Sequence, residues 1–353
     1  MNPFIYTSLP VRVVFGHGTL AQVGAEVTAL NAKRALVLST PNQKTDGEKL
    51  LASLGDLGVG LYSNATMHTP TDVTEQALEF ARAKNADCLV SLGGGSTTGL
   101  GKAIALRTDL PQIAVPTTYA GSEATPIIGE TRDGMKTTQS TRKVLPETIV
   151  YDVDLTLGLP TGLSVTSGVN AIAHAVEALY ARDGNPIISQ LARDGIRSIG
   201  KALPTIVADP RNLQARSDAL FGAWACGTCL GNVGMALHHK LCHVLGGTFN
   251  LPHAETHTVI LPHALAYNAK AAAAAAADVA ASLGVSDPAA GLYDLSTQLG
   301  APRSLKELGM REEDLGRAAD IAVQNPYWNP RAIERQGIEE LLRNAFDGRR
   351  PKL

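Results

Sequence analysis

The sequence predicts two domains: an α/β domain built on a doubly covered parallel sheet over residues 1–157, then an all-α domain over 158–353. Three observations carry this. Up to about residue 157, short apolar runs bounded by turn residues alternate with helix-spaced stretches. Beyond Leu159 and Pro160 the β-like runs nearly vanish and long helical patterns take over. With 353 residues, 44% hydrophobic and 18% charged, the chain can bury two cores.

The elements follow in order. Residues 12–15 (RVVF) read as a strand, with a turn at 16–18. Residues 35–39 (ALVLS) read as a short buried strand. A helix-spaced stretch, 74–84, leads into a second buried strand at 86–92 (ADCLVSL). Residues 112–115 (QIAV) form a fourth strand, ended by Pro116. Helical patterns then cover 164–181, 186–206, 211–246, 266–283, 289–299, 311–323 and 335–346. The alanine tract at 271–277 reads as plain helix, alanine being the strongest helix former. No internal repeat is visible.

Composition narrows the function. A formal net charge of -2 argues against a nucleic-acid binder, which normally shows a basic stripe. No basic-then-apolar leader and no apolar run near the ~18 residues of a spanning helix is present, so a cytoplasmic protein with no membrane partner is expected. Of the four cysteines, Cys226 and Cys229 form a CxxC. No second pair completes a zinc site, and the two read as small apolar residues one helical turn apart.

Two loops suit a dinucleotide. The strand ADCLVSL runs straight into Gly93, Gly94, Gly95 and Ser96 and then a helix carrying Lys102. Glycines allow a sharp turn and close backbone approach, and a helix N-terminus offers free N–H groups to phosphate. Lys102, in the second turn, is expected to add a full charge. The next strand ends in a polar loop with Thr117, Thr118, Tyr119 and Ser122, leaving the same edge of the sheet. After the second strand, Ser39, Thr40 and Asn42 stand where many NAD-binding folds place a carboxylate for the ribose 2′-hydroxyl. A neutral site does not repel a 2′-phosphate, so NADPH is expected to serve alongside NADH.

Six of the nine histidines fall between His238 and His263. Histidines gather where a metal, a proton or an anion is handled. Asn170 and His174 are spaced to share one helix face, as are His239 and His243, and His253 follows ten residues later. His238 points about 100° away from His239 on a helix.

With these residues in view, the chain resembles the iron-containing (group III) alcohol dehydrogenase family from end to end. GGGSTTGLGKAIA resembles the family's GGGSxxDxxKA loop, PTTYAGSEAT its PTT-x-x-G-[ST]-E loop, and His239, His243 and His253 its H-x3-H-x9-H segment. The resemblance implies a Rossmann-like N-terminal domain, a helical C-terminal domain of the dehydroquinate synthase-like fold, and an active site in the cleft between them. The family holds its metal on an Asp and three His. The matching positions here are Asn170, His174, His239 and His253, and the glycine-loop Asp is replaced by Gly99. Asn supplies no anionic charge; three histidines suit zinc but make a poor iron(II) site.

These departures, with ATMHTP and NPYWNPR, resemble a branch that works without an added metal. It reduces the carbon–carbon double bond of maleylacetate to 3-oxoadipate with NADH or NADPH, in aromatic-compound degradation. His243 and His253 are then the leading proton-donor and oxyanion candidates, with His174 and His239 completing the pocket and Asn170 fixing a histidine tautomer. The small dicarboxylate substrate calls for cations. Arg142 ranks first, with Lys136, Lys143, Lys102 and Arg331 behind it, and Tyr119 is a hydrogen-bonding candidate. Tyr327 and Trp328, between two prolines, read equally as a cleft wall or a packed turn. The family implies a homodimer. The alternative is a zinc- or iron-dependent alcohol dehydrogenase or aldehyde reductase on the same fold.

Overall fold

The computed structural model describes residues 3–132, 135–325 and 327–353; the side chain of Lys136 lies outside what is described. The chain divides into two compact units, Ser8–Leu159 and Pro160–Leu353, the second also taking in the first residues through Thr7.

In the first unit, β1 (Arg12–Gly16), α1 (Val23–Ala29), β2 (Ala35–Leu38), α2 (Lys44–Ser53), β3 (Gly58–Tyr62), α3 (Thr71–Ala83), β4 (Cys88–Gly93), α4 (Gly95–Thr108) and β5 (Gln112–Pro116) alternate. A small antiparallel hairpin follows, β6 (Ile127–Arg132) and β7 (Met135–Ser140), and then β8 (Thr148–Asp152). Six strands form one parallel sheet in the order β1-β8-β5-β4-β2-β3. Every residue of β2, β4, β5 and β8 is buried, as expected of strands covered on both faces. The strand period of two sorts the side chains: Ala35 and Val37 pack with α1 and α2, while Leu36 and Leu38 pack with α3 and α4.

The chain runs from β2 out to the edge strand β3, then crosses back to place β4 on the other side of β2. That reversal opens a crevice at the carboxyl ends of β2 and β4, where ligands bind in such sheets.

The second unit is helical: α5 (Thr161–Leu179), α6 (Pro186–Ala208), α7 (Leu213–Asn232), α8 (Leu237–Phe249), α9 (His253–Asn268), α10 (Ala273–Leu283), α11 (Pro288–Gln298), α12 (Asp314–Ala322) and α13 (Arg335–Phe346). α5 is the central one, buried from Ser164 to Ala178. Side-chain caps mark several starts: Asn185 accepts from the Ile188 N–H, Asn212 from Ala215, and Asp287 from Ala289 and Ala290. Cys226 and Cys229 are free, buried and part of the α5–α6 core. Trp328 packs against that core and Tyr327 against a second one around α8, α12 and α13.

Two expected helices need correction. The stretch 211–246 is two helices, α7 and α8, bent by 96° at a break over residues 233–236. The stretch 266–283 joins the end of α9 to α10, and α9 itself begins back at His253. Among the described residues no single helix is long and apolar enough to cross a membrane; α7 and α8 pass that test only together.

Candidate active site

Three helices of the second unit bring imidazoles together. The exchange of the expected single helix for α7 and α8 is what makes this possible. The break turns the chain so that His238, His239, Cys242 and His243 on α8 meet Asn170, His174 and Glu177 on α5. α9 adds His253 and His257. Ring centroids lie 5.2 Å apart for His174 and His239, 6.2 Å for His239 and His243, and 4.4 Å for His253 and His257.

The cluster has depth. His243 and His253 are solvent-exposed, whereas Asn170, His174 and His239 are buried. Each buried member carries an atom with no hydrogen-bond partner: Asn170 Oδ1, His174 Nδ1 and His239 Nε2. Unsatisfied buried polar atoms are costly, and three together call for a partner such as water or a ligand. Behind them, His238 Nε2 lies 2.9 Å from His257 Nδ1 and 3.7 Å from the Cys242 thiol. Those three atoms fall within 4.8 Å of one another, but burial pushes the Cys242 pKa well above its usual value, so the thiol keeps its proton and the trio is a hydrogen-bonded group.

Two residues escaped the sequence reading. Glu177 is fully buried and accepts the Ala236 N–H (2.9 Å), the His238 N–H (2.7 Å) and His239 Nδ1–H (2.7 Å). It thereby caps the first turn of α8, whose own preceding residue, Ala236, has no capping side chain. It also fixes the His239 tautomer, leaving Nε2 toward the site. A lone acid in the apolar run HAVEALY was the available signal. His257 stands one helical turn beyond His253 and touches four other imidazoles. The spacing that singled out His239 and His243 applied to it equally.

Burial is the leading cause, and neighbouring imidazoles the second, holding His174, His238 and His257 well below the ordinary histidine pKa. The folded state therefore takes up fewer protons at these sites than the unfolded chain, whose histidines titrate near 6.5. Stability is present above that pH and lost as pH falls through it. The melting temperature is expected to drop steadily from about pH 7 to about pH 5 in a calorimetric series. A flat profile across that window would show the three rings charging freely in the fold.

In the first unit, Ser39, Thr40 and Asn42 follow β2, Gly93 to Ser96 follow β4, and Thr117 and Thr118 follow β5, all at the carboxyl ends of adjacent strands. α4 starts at Gly95 without a side-chain cap, leaving its first N–H groups open to an anion. Gly93 has φ +152, and a Cβ there would sit 2.4 Å from Thr97 Oγ1 and 2.8 Å from Gln43 Oε1. Gln43 in turn donates to Thr117 Oγ1 at 2.9 Å, tying the first and third loops. Gly99 is also tightly placed: a Cβ there would lie 2.4 Å from Thr69 Oγ1, so a side chain at 99 would require Thr69 to shift.

Lys102 is a correction. Its ammonium does not point to a phosphate. It is buried and donates to the carbonyls of Ser122 (2.6 Å), Thr125 (2.7 Å) and Ile127 (2.8 Å) and to Thr125 Oγ1 (3.0 Å). Burial lowers its pKa to about 7, opposed by nearby Glu123. Lys102 is thus the internal post of the loop that carries Ser122. Tyr119 is fully buried, and Arg142 is exposed on a short turn before β8. Lys143 pairs with Asp109.

Arg331 also lies elsewhere than expected. Its guanidinium stacks on the Tyr267 ring at 3.9 Å and bonds the Tyr267 carbonyl at 3.2 Å, near the far end of α9 from His253.

The histidine positions can be tested against the iron the fold family implies. Asn170, His174, His239 and His253 offer four neutral donors and no anionic ligand. Glu177 supports His239 from behind, as carboxylates behind metal-bound histidines do. That set makes a poor iron(II) site, because the usual non-haem iron(II) ligand set includes a carboxylate.

Comparison with known proteins agrees with this architecture. Residues 10–153 match the family model for iron-containing alcohol dehydrogenase, and residues 164–346 match the model for the C-terminal part of the Fe-containing alcohol dehydrogenase family. The chain belongs to the iron-containing alcohol dehydrogenase family, a family of oxidoreductases. Within it, the chain is 57% identical to a maleylacetate reductase of Rhizobium sp. (strain MTP-10005) over 352 residues, spanning 100% of both chains. It is 56% identical to a maleylacetate reductase of Burkholderia cepacia over 99% of this chain and 100% of that one. The crystal structure of maleylacetate reductase from Agrobacterium tumefaciens superposes with a TM-score of 0.96 at 56% identity, covering 99% of this chain and 100% of that one.

Proposed function

We propose that the chain reduces the carbon–carbon double bond of maleylacetate, giving 3-oxoadipate, with NADH or NADPH as hydride donor and without a metal. The observation that carries this reading is the metal position rebuilt from neutral groups. Asn170, His174 and His239 present unsatisfied atoms beneath two exposed imidazoles, His243 and His253.

An alcohol dehydrogenase must stabilise an alkoxide, a task suited to a divalent cation. A conjugate reduction asks for less. Held at the loops after β2, β4 and β5, NADH or NADPH would supply hydride to the alkene carbon β to the ketone, and the electron pair would pass to the ketone oxygen as an enolate. Hydrogen-bond donors stabilise that oxygen, and the carbon between takes a proton from a general acid. His243 and His253 are the residues for proton donation and oxyanion contact, and His174 and His239 line the pocket. Asn170 contributes a neutral amide where a carboxylate would repel a dianionic substrate. The neutral loop of Ser39, Thr40 and Asn42 admits either cofactor. Arg142 and Tyr119 stay as carboxylate-binding candidates, and Arg331 does not join them. A cytoplasmic homodimer completes the reading.

The deciding experiment follows NADH and NADPH absorbance with freshly made maleylacetate, with and without EDTA. Oxidation of both cofactors, unchanged by the chelator, is expected. Loss of turnover with EDTA and recovery with zinc would instead favour a metal-dependent reductase using the Glu177-supported His239.

A further inference from the structure

A second pocket of about 390 Å³ lies wholly within the helical unit. Its floor is His263, Ala266 and Tyr267 of α9 with Leu341 of α13, and its rim carries Arg331, Arg349, Arg350 and Lys352 against a single acid, Glu340. It is not a continuation of the histidine site. His263 is six residues past His257, about 9 Å along α9 and turned by about 120° around its axis, so it faces α13 rather than α5.

Three features separate this pocket from an ordinary basic surface. His263 is only 4% exposed, and its Nε2 has no hydrogen-bond partner. Burial lowers its pKa to about 4, so the ring is neutral at neutral pH. Arg331 is already oriented, stacked flat on Tyr267 with one nitrogen on the Tyr267 carbonyl, which leaves the rest of its fork for a ligand. Arg350 and Arg349 are paired with Asp294 and Asp347, but no carboxylate partner is present for Arg331 or Lys352 among the described residues. A largely apolar floor beneath a cationic rim matches a short organic anion with carboxylates at its ends.

We infer that this pocket is a second binding site, for a small dicarboxylate of the substrate or product class. One carboxylate lies in the Arg331 fork, the other reaches Lys352 and Arg349, and the intervening chain passes over Tyr267 and His263. The choice of dicarboxylate rests on the proposed reaction; the anion site itself does not.

The test is calorimetric titration of the whole protein with adipate, a six-carbon dicarboxylate lacking the ketone, and separately with inorganic phosphate. Beyond any binding at the histidine site, one further adipate per chain is expected. Its affinity should fall at least tenfold in a Lys352→Met/Arg349→Met double variant, with turnover of maleylacetate unchanged. Retention of both adipate sites at parental affinity in that variant would overturn the assignment. So would phosphate binding there as tightly as adipate, because the rim would then be a general anion patch. If maleylacetate is not turned over at all while the second adipate site behaves as expected, the proposed reaction fails and the anion site stands.

Discussion

Replacing Glu177 with Gln is expected to leave the helical unit folded and to lower kcat by up to about 10⁴-fold, the order of loss for a catalytic histidine held in the wrong tautomer. The His238 N–H sits on one carboxylate oxygen and the Ala236 N–H shares the other with His239 Nδ1, so an amide oxygen placed on His238 keeps one of the two backbone bonds that cap the first turn of α8. The amide nitrogen then faces His239 Nδ1, which must accept instead of donate. The proton moves to Nε2, the atom directed into the pocket, and the lone pair there is lost. Glu177→Ala separates the two roles. It removes the cap and the ring partner together and leaves three buried donors unsatisfied, at about 3–5 kcal/mol. Steady-state kinetics and thermal unfolding on the two variants distinguish these outcomes. An unchanged kcat in the Gln variant would mean that the tautomer of His239 is irrelevant to turnover.

Much of the fold was legible because burial leaves a pattern. The strands β2, β4 and β5 are short, largely apolar runs ended by turn residues, and a fully covered parallel strand reads in that way. The strands that escaped notice lack this signature. β3 is GVGLY, with two glycines at a sheet edge; β6 and β7 are a polar hairpin. β8 (TIVYD) is as buried as β5 but was hidden by the irregular segment before it.

The helix break at 233–236 was equally hidden. VGMA contains one glycine and no proline, and what ends α7 is tertiary: Asp183 receives the Gly234 N–H while Glu177 receives that of Ala236. In the site, spacing found the residues that share a helix face but not what those faces meet. The carboxylate behind His239 and the carbonyls around Lys102 come from distant parts of the chain. A lysine after a glycine loop reads as a phosphate ligand in sequence, whereas in three dimensions it holds the neighbouring loop in place.

His243→Ala and His253→Ala are each expected to lower kcat by about 10²- to 10⁴-fold, the usual value of a positioned proton donor. Both rings are exposed, so neither truncation empties a core, and melting temperatures should stay close to the parent. The buried ring makes the contrast: His257→Ala leaves His238 Nε2 without its partner at 2.9 Å and should cost stability as well as rate. If His243 and His253 serve one step, one on the enolate oxygen and one on the carbon, removing both should cost little more than removing either. If their losses multiply, the two rings act on separate steps. Near-parental turnover in both single variants would move the proton donor inward, to the buried set around His239, whose Nδ1 lies 2.7 Å from the Glu177 carboxylate.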